Sequence, residues 1–301
     1  MDVMTAYEQW LKDFAADADT IADLKAIADD PKEIEDRFYT ELSFGTAGMR
    51  GVLGAGMNRM NIYTVRRATQ GLADYLIEDD VQNKERGVVI GYDSRRMSTE
   101  FALETALVLC ANGIKTYLFD ALRPVALLSF GVRHLNAKAG VVITASHNPP
   151  QYNGYKVYGE DGAQLGPEAA EAVTGKIYAL KFTDAKLMTE EEAKAAGLLH
   201  IIGDAEVDDE YIARVKTLSI NPVVVAEAGK NLKIAMSPDF MYFETISETD
   251  PCGYEGLDID IIKSLSDKLG FEWEIVPMSF SSLIGSLQTG NADSVLLGEC
   301  G

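Results

Sequence analysis

The chain is poor in cysteine, in histidine and in positive charge. Its three cysteines, Cys110, Cys252 and Cys300, lack the paired spacing of metal-binding thiolates, which argues against zinc-finger and iron–sulfur architectures. Cys110 lies in an apolar helical run and reads as a small buried hydrophobe. Cys252 and Cys300 would pair only in an oxidising compartment, and their spacing does not decide the matter. Lys and Arg number 27 against 47 Asp and Glu, a formal net charge of −20. Such an acidic surplus excludes a nucleic-acid partner, because phosphate backbones are held by excess Lys and Arg. A few clustered cations would still hold a small phosphorylated ligand. No run approaches the ~18 apolar residues that span a bilayer. Met1-Asp2-Val3-Met4-Thr5 has neither the basic flank nor the apolar stretch of a secretory signal. A cytoplasmic protein without a membrane segment is the expectation.

What is present is ordinary globular composition, 47% hydrophobic and 25% charged over 301 residues, enough for about two domains. Apolar residues at three- and four-residue spacing (Tyr7, Trp10, Leu11, Phe14, then Ile21, Leu24, Ile27) predict helix over the first forty residues. A Gly-rich stretch runs from Phe44 to Gly56, and helix follows over 64–77. Then strands and helices alternate. Strands are predicted at 87–91, 115–119 and 139–144, with helices at 99–111 and 127–135 between them. That order implies an α/β fold with a mostly parallel sheet and helices on its faces. A hairpin is predicted at 153–165, and helices at 167–179 and 189–196. Beyond residue 230 the chain has three lysines, no arginine and a dozen acidic residues. Strands are predicted there at 232–236, 271–276 and 293–298, and helices at 257–269 and 281–289.

Thr144-Ala145-Ser146-His147-Asn148-Pro149 follows directly on the buried strand 139–144. Open α/β sheets bind ligands beyond the carboxyl ends of their strands, so Ser146 stands where a reactive group is presented. A serine hydroxyl can carry a phosphoryl group reversibly, given in-line positioning and cations to offset its charge. His147, Lys156 and Arg50 are the candidate positive or hydrogen-bonding groups. From the residues alone, Ser-His-Asn-Pro reads first as a polar turn leaving a strand.

The hexapeptide resembles the phosphoserine loop of the α-D-phosphohexomutases, the phosphoglucomutase/phosphomannomutase family. Phe44 to Gly51 resembles the family's Gly-rich arginine segment, and Gly91-Tyr92-Asp93-Ser94-Arg95 its strand-end Asp-x-Arg element. Asn153-Gly154-Tyr155-Lys156 resembles the Asn-Gly-x-Lys after the active serine. The resemblance covers about residues 1–230. It implies a first domain over 1–205, with a mixed, mainly parallel sheet and helices on both faces, and the start of a second domain over 206–230. It also implies that Ser146 is the phosphorylated nucleophile and, through its phosphate, a ligand of Mg²⁺. His147 would shape the loop, and Arg50 and Lys156 would attend the transferring phosphate, Lys156 as general acid/base. Asp93 and Arg95 would brace the domain. The implied partners are a hexose phosphate, glucose 1-phosphate first among them, and hexose 1,6-bisphosphate. One departure is visible: Leu122-Arg123-Pro124-Val125-Ala126 stands where the family has Pro-Thr-Pro. The family's metal loop, Asp-Gly-Asp-x-Asp-Arg, is absent, and Asp258-Ile259-Asp260 reads as a solvated helix face.

Residues 231–301 resemble the opening part of an extracellular amino-acid-binding protein, a partial periplasmic-binding-protein-like α/β lobe. The resemblance rests on Leu232 to Phe240, Gly256 to Asp260, Val276 to Phe280 and Leu287 to Asp293. It implies a polar amino acid as ligand, with Phe240 and Phe243 in a pocket wall; from the residues alone, core packing is the favoured reading of both. Ala226 to Ile234 suits the opening strand of either family's domain. The expectation is a truncated mutase joined to a binding-protein fragment, a chimera incomplete for catalysis.

Overall fold

The computed structural model describes residues 2–217, 231–237, 245–247 and 250–296. The chain divides into two compact units, Met1–Asp209 and Glu210–Gly301. At the start, the expected helical stretch is three helices: α1 (Val3–Asp13), α2 (Ala18–Ala26) and α3 (Pro31–Phe38). The breaks come from two aspartates that leave helical geometry to cap the helix that follows. Asp17 accepts from the amides of Asp19 and Thr20, and Asp30 from those of Lys32 and Glu33. Pro31 at the first helical position reinforces the second break. Trp10, Phe14, Leu24 and Phe38 form a cluster that also takes in Tyr63.

The remaining residues of this unit build a seven-stranded sheet. Its strands are β1 (Phe44–Gly45), β2 (Gly48–Val52), β3 (Val88–Tyr92), β4 (Thr116–Phe119), β5 (Ala139–Ile143), β6 (Tyr152–Gly159) and β7 (Leu199–Ile202). Their order is β1-β2-β6-β5-β3-β4-β7. β5, β3, β4 and β7 run parallel, while β6, β2 and β1 join by antiparallel pairing. β3 and β5 are buried at every position, as their unbroken apolar runs require.

The helices of the unit are α4 (Ile62–Asp79), the single turn α5 (Asn83–Arg86), α6 (Ser98–Ala111), α7 (Val125–His134), α8 (Pro167–Ala179) and α9 (Glu190–Ala195). On one face Leu72, Phe101, Leu109, Val173 and Ile177 pack with Ile90, Val141, Ile143 and Tyr155. On the other Leu128 and Val132 of α7 meet Val89, Phe119 and Val142. Cys110 is buried, as expected.

Three local features differ from the sequence reading. α4 begins at Ile62, two residues early, because Asn61 and Thr64 form a reciprocal capping box. The hairpin at 153–165 has one full strand, β6; its return arm makes only the bridge Tyr158↔Gln164 before Pro167 opens α8. Beyond Ile202 a π-helical turn, Asp204–Asp208, runs into α10 (Asp209–Lys216).

The second unit carries a three-stranded parallel sheet of Asn231–Met236 flanked by Glu272–Pro277 and Ser294–Leu296. Helices Leu257–Leu269 and Leu283–Gln288 stand where the periodicity predicts them. Asp258 corrects the reading of a solvated face. Asp260 is exposed, but Asp258 is half-buried, and burial pushes its carboxyl up to about 6. Phe240, Phe243, Cys300 and the join at 226–230 lie outside the described residues. Cys252 is a free thiol. No described helix is long and apolar enough to cross a membrane.

Candidate active site

β5 delivers the chain to the carboxyl edge of the sheet, where it turns at once. Ser146 sits in the left-handed region with φ of 56°, a conformation costing a residue with a Cβ about 1 kcal/mol or more. The turn is tied from within. The Ser146 amide donates to Thr144 Oγ1 at 3.0 Å, Asn148 N to Ala145 O at 3.1 Å, and Tyr152 N to Pro149 O at 2.9 Å. Ser146 Oγ lies 3.2 Å from His147 Nδ1. Ser146 is buried and His147 exposed.

β6 and β2 close on this turn from the side. Thr144 N donates to Gly154 O at 3.0 Å. A Cβ on Gly154 would stand 2.5 Å from Thr144 O and 3.0 Å from Met49 O, so only glycine lets the three strands approach. Arg50 pairs in register with Gly154, and its Nη1 donates to Asn148 Oδ1 at 2.6 Å. Lys156, opposite Val142 in the register, is buried at 4% exposure. Ser146, His147 and Arg50 thus meet on one loop, and Lys156 lies on the adjoining strand. In the Gly-rich stretch, Gly48 (φ 77°) is required by backbone approach, since a Cβ there would lie 2.1 Å from Tyr155 O.

Arg95, read from sequence as a general brace, grips the serine loop itself. Its Nη2 donates to the carbonyl of Ser146 and, at 2.7 Å, to that of Asn148. Its Nη1 donates to the carbonyls of Pro149 and Tyr152 at 3.1 and 3.2 Å. Nε faces Asp93 Oδ2 at 3.4 Å, and the Arg95 amide donates to Asp93 Oδ1 at 2.9 Å. Ser98 Oγ donates to the same Oδ1 at 2.8 Å, and Asn153 Nδ2 donates to Ser98 Oγ and to Arg96 O. Asp93 and Arg95 are both nearly fully buried. The sequence signal was the Asp-x-Arg spacing at a strand end; the target of the arginine, 51 positions away, carried none.

A second arginine works at the same edge, beyond β4. Arg123, in the segment that departs from the family's Pro-Thr-Pro, donates through Nε to Asp208 Oδ2 at 2.7 Å and through Nη2 to Asp120 Oδ1 at 3.1 Å. Asp204 Oδ1 stands 3.9 Å away. Burial pushes the Asp208 carboxyl above the ordinary carboxylate range, with Arg123 opposing.

Among the described residues no group of three or more His, Cys, Asp or Glu is placed to hold a metal ion. Asp93, the acidic side chain tied into the serine-loop network, accepts from the Arg95 amide and Ser98 through Oδ1 and faces the Arg95 guanidinium with Oδ2 at 3.4 Å. These residues do not by themselves make an oxygen cage for Mg²⁺, which demands near-octahedral coordination.

Residues 41–184 match the family model for phosphoglucomutase/phosphomannomutase, alpha/beta/alpha domain I. Residues 232–298 match bacterial extracellular solute-binding proteins, family 3. A phosphoglucomutase of Staphylococcus epidermidis is 43% identical over 191 residues, 62% of this chain and 34% of the relative. One from Staphylococcus haemolyticus is 50% identical over 143 residues, 48% of this chain and 26% of the relative. The chain therefore spans about a third of the length of the curated relatives it matches. A crystal structure of a putative phosphomannomutase from Thermus thermophilus aligns with a TM-score of 0.55 at 24% identity, covering 79% of this chain and 46% of that one. The N-terminal part of the chain is thus similar to domain I of the phosphoglucomutase/phosphomannomutase family, whose full-length relatives are isomerases that transfer a phosphoryl group.

Proposed function

We propose that Ser146 is the phosphoryl carrier of a phosphohexomutase cycle, with glucose 1-phosphate the substrate and glucose 6-phosphate the product. Phosphorylated Ser146 gives its phosphoryl group to the 6-hydroxyl of the sugar. The Oγ–P bond breaks, an O–P bond forms, and the hydroxyl proton leaves to a neighbouring base. The bound glucose 1,6-bisphosphate then returns its other phosphoryl group to Ser146. Such transfer depends on positioning and on charge compensation more than on covalent chemistry by the protein. The observation that carries this reading is the convergence at the sheet's carboxyl edge: Ser146 Oγ lies 3.2 Å from the His147 ring, and Arg50 is tied to the same loop. Arg50 offers the positive charge, and His147 and Lys156 the proton-transferring groups. Mg²⁺ is the metal this family chemistry implies, and the described residues do not by themselves complete a site for it.

Incubation with glucose 1,6-bisphosphate, followed by intact-mass analysis, tests the carrier role; Ser146→Ala is its control. A coupled assay of glucose 6-phosphate formation tests turnover. The match over residues 232–298 favours a second reading for that segment, a binding module for a polar amino acid. Calorimetry against a panel of amino acids tests it, and the absence of heat with every member would remove it. Two unrelated families in one chain further support the reading of a chimera joined near 226–234. Sequencing one unbroken genomic fragment across codons 225–240 would contradict an assembly error if the frame is intact.

A further inference from the structure

The geometry points to Arg95 as the positioning residue that holds Ser146 for transfer, an inference that rests on the phosphoserine reading above. Four backbone carbonyls, those of Ser146, Asn148, Pro149 and Tyr152, converge on its two terminal nitrogens. Three belong to the turn that carries the nucleophile, one of them the carbonyl of Ser146 itself, and the fourth to the first residue of β6. Holding that carbonyl fixes the 146–147 peptide, and so sets both the Oγ and the His147 ring beside it. It also offsets the cost of the left-handed backbone at Ser146.

Both N–H groups on each terminal nitrogen meet carbonyls, and Nε faces Asp93 Oδ2 at 3.4 Å as an ion pair. Neither terminal nitrogen is left to reach a substrate oxygen. Asp93 beside it balances the charge within a buried pair, so the clasp adds little net field at Ser146. Arg95 therefore acts through geometry, and its loss should appear in the transfer rate and not in substrate binding. Lysine offers a point charge with three donors and cannot span the four acceptors that the planar fork spans.

The test compares wild type, Arg95→Lys and Arg66→Lys. Arg66 forms a two-bond pair with Glu104 on α4 and α6, so its variant reports the cost of losing an arginine clamp elsewhere. Ser146 labelling by glucose 1,6-bisphosphate is timed over a range of concentrations, and amide hydrogen exchange is followed across 145–153. Arg95→Lys is expected to lower the maximal labelling rate by about tenfold or more, since a small misplacement of a reacting group is costly. Its half-saturating concentration should stay within about twofold of wild type, and exchange should quicken across the loop alone. Arg66→Lys should move the melting temperature without touching either readout. Asp93→Asn, which keeps the shape and removes the balancing charge, should show the same split more weakly. Wild-type labelling kinetics in Arg95→Lys, or unchanged loop exchange, would overturn the inference. A wild-type chain that takes no label overturns the phosphoserine reading itself, and this inference with it.

Discussion

Two arginines at one edge of the same sheet are used in opposite ways. Arg95 binds four backbone carbonyls and one buried aspartate. Arg123 binds side-chain carboxylates from the end of β4 and the π-helical turn after β7. Carbonyls do not titrate, so the four contacts that hold the Ser146 loop carry no pH dependence of their own. Carboxylates do, so the grip of Arg123 on the turn at 204–208 changes with pH. The difference separates a device that sets geometry from one whose strength depends on charge.

Gly154→Ala attacks the first device most directly, because the new Cβ meets Thr144 O at 2.5 Å, backbone that cannot swing aside. A loss of about 3 kcal/mol by denaturant unfolding is expected, as for other overpacked sites. A variant as stable as wild type would mean that the strands do not approach this closely.

Arg123→Met attacks the second. Asp208 is left buried and uncompensated, and breaking such a pair costs about 3 kcal/mol at neutral pH. The cost should shrink as pH falls and Asp208 takes up its proton, while Ser146 labelling by the folded protein falls far less than in Arg95→Lys. A pH-independent cost would contradict the assigned role of Asp208.

Asp208→Asn should give the smallest effect and the clearest sign. The folded-state value of this carboxyl is raised from 3.8, so the ionised form is the costly one. Its contribution to stability is therefore flat below about pH 4 and declines as pH rises through the raised value. The melting temperature of Asp208→Asn relative to wild type should climb between about pH 4 and pH 7. A falling difference would show that Arg123 outweighs burial there, and a flat one that the two cancel.

The parts of this picture that were legible in sequence are local. β3 and β5 announce themselves by unbroken apolar runs, and the Ser146 hexapeptide by its residues alone. Asn61 and Thr64 also carry a local signal, the capping box, which periodicity overlooked. The Arg95 contacts were invisible because their partners are carbonyls, which every residue possesses. β7 was missed because four residues between a glycine and a polar turn make too short a run to register a period. Asp258 misled for a related reason: an acid early in an amphipathic helix normally faces water, and only tertiary packing half-buries this one.

Every step of the proposed cycle requires Ser146 to take up and give back a phosphoryl group. Intact-mass analysis after exposure to glucose 1,6-bisphosphate, with peptide mapping, tests it most directly. One phosphate on Ser146, none on Ser146→Ala, and its removal by glucose 1-phosphate is the predicted result. An unmodified Ser146, or phosphate found on another residue, would contradict it.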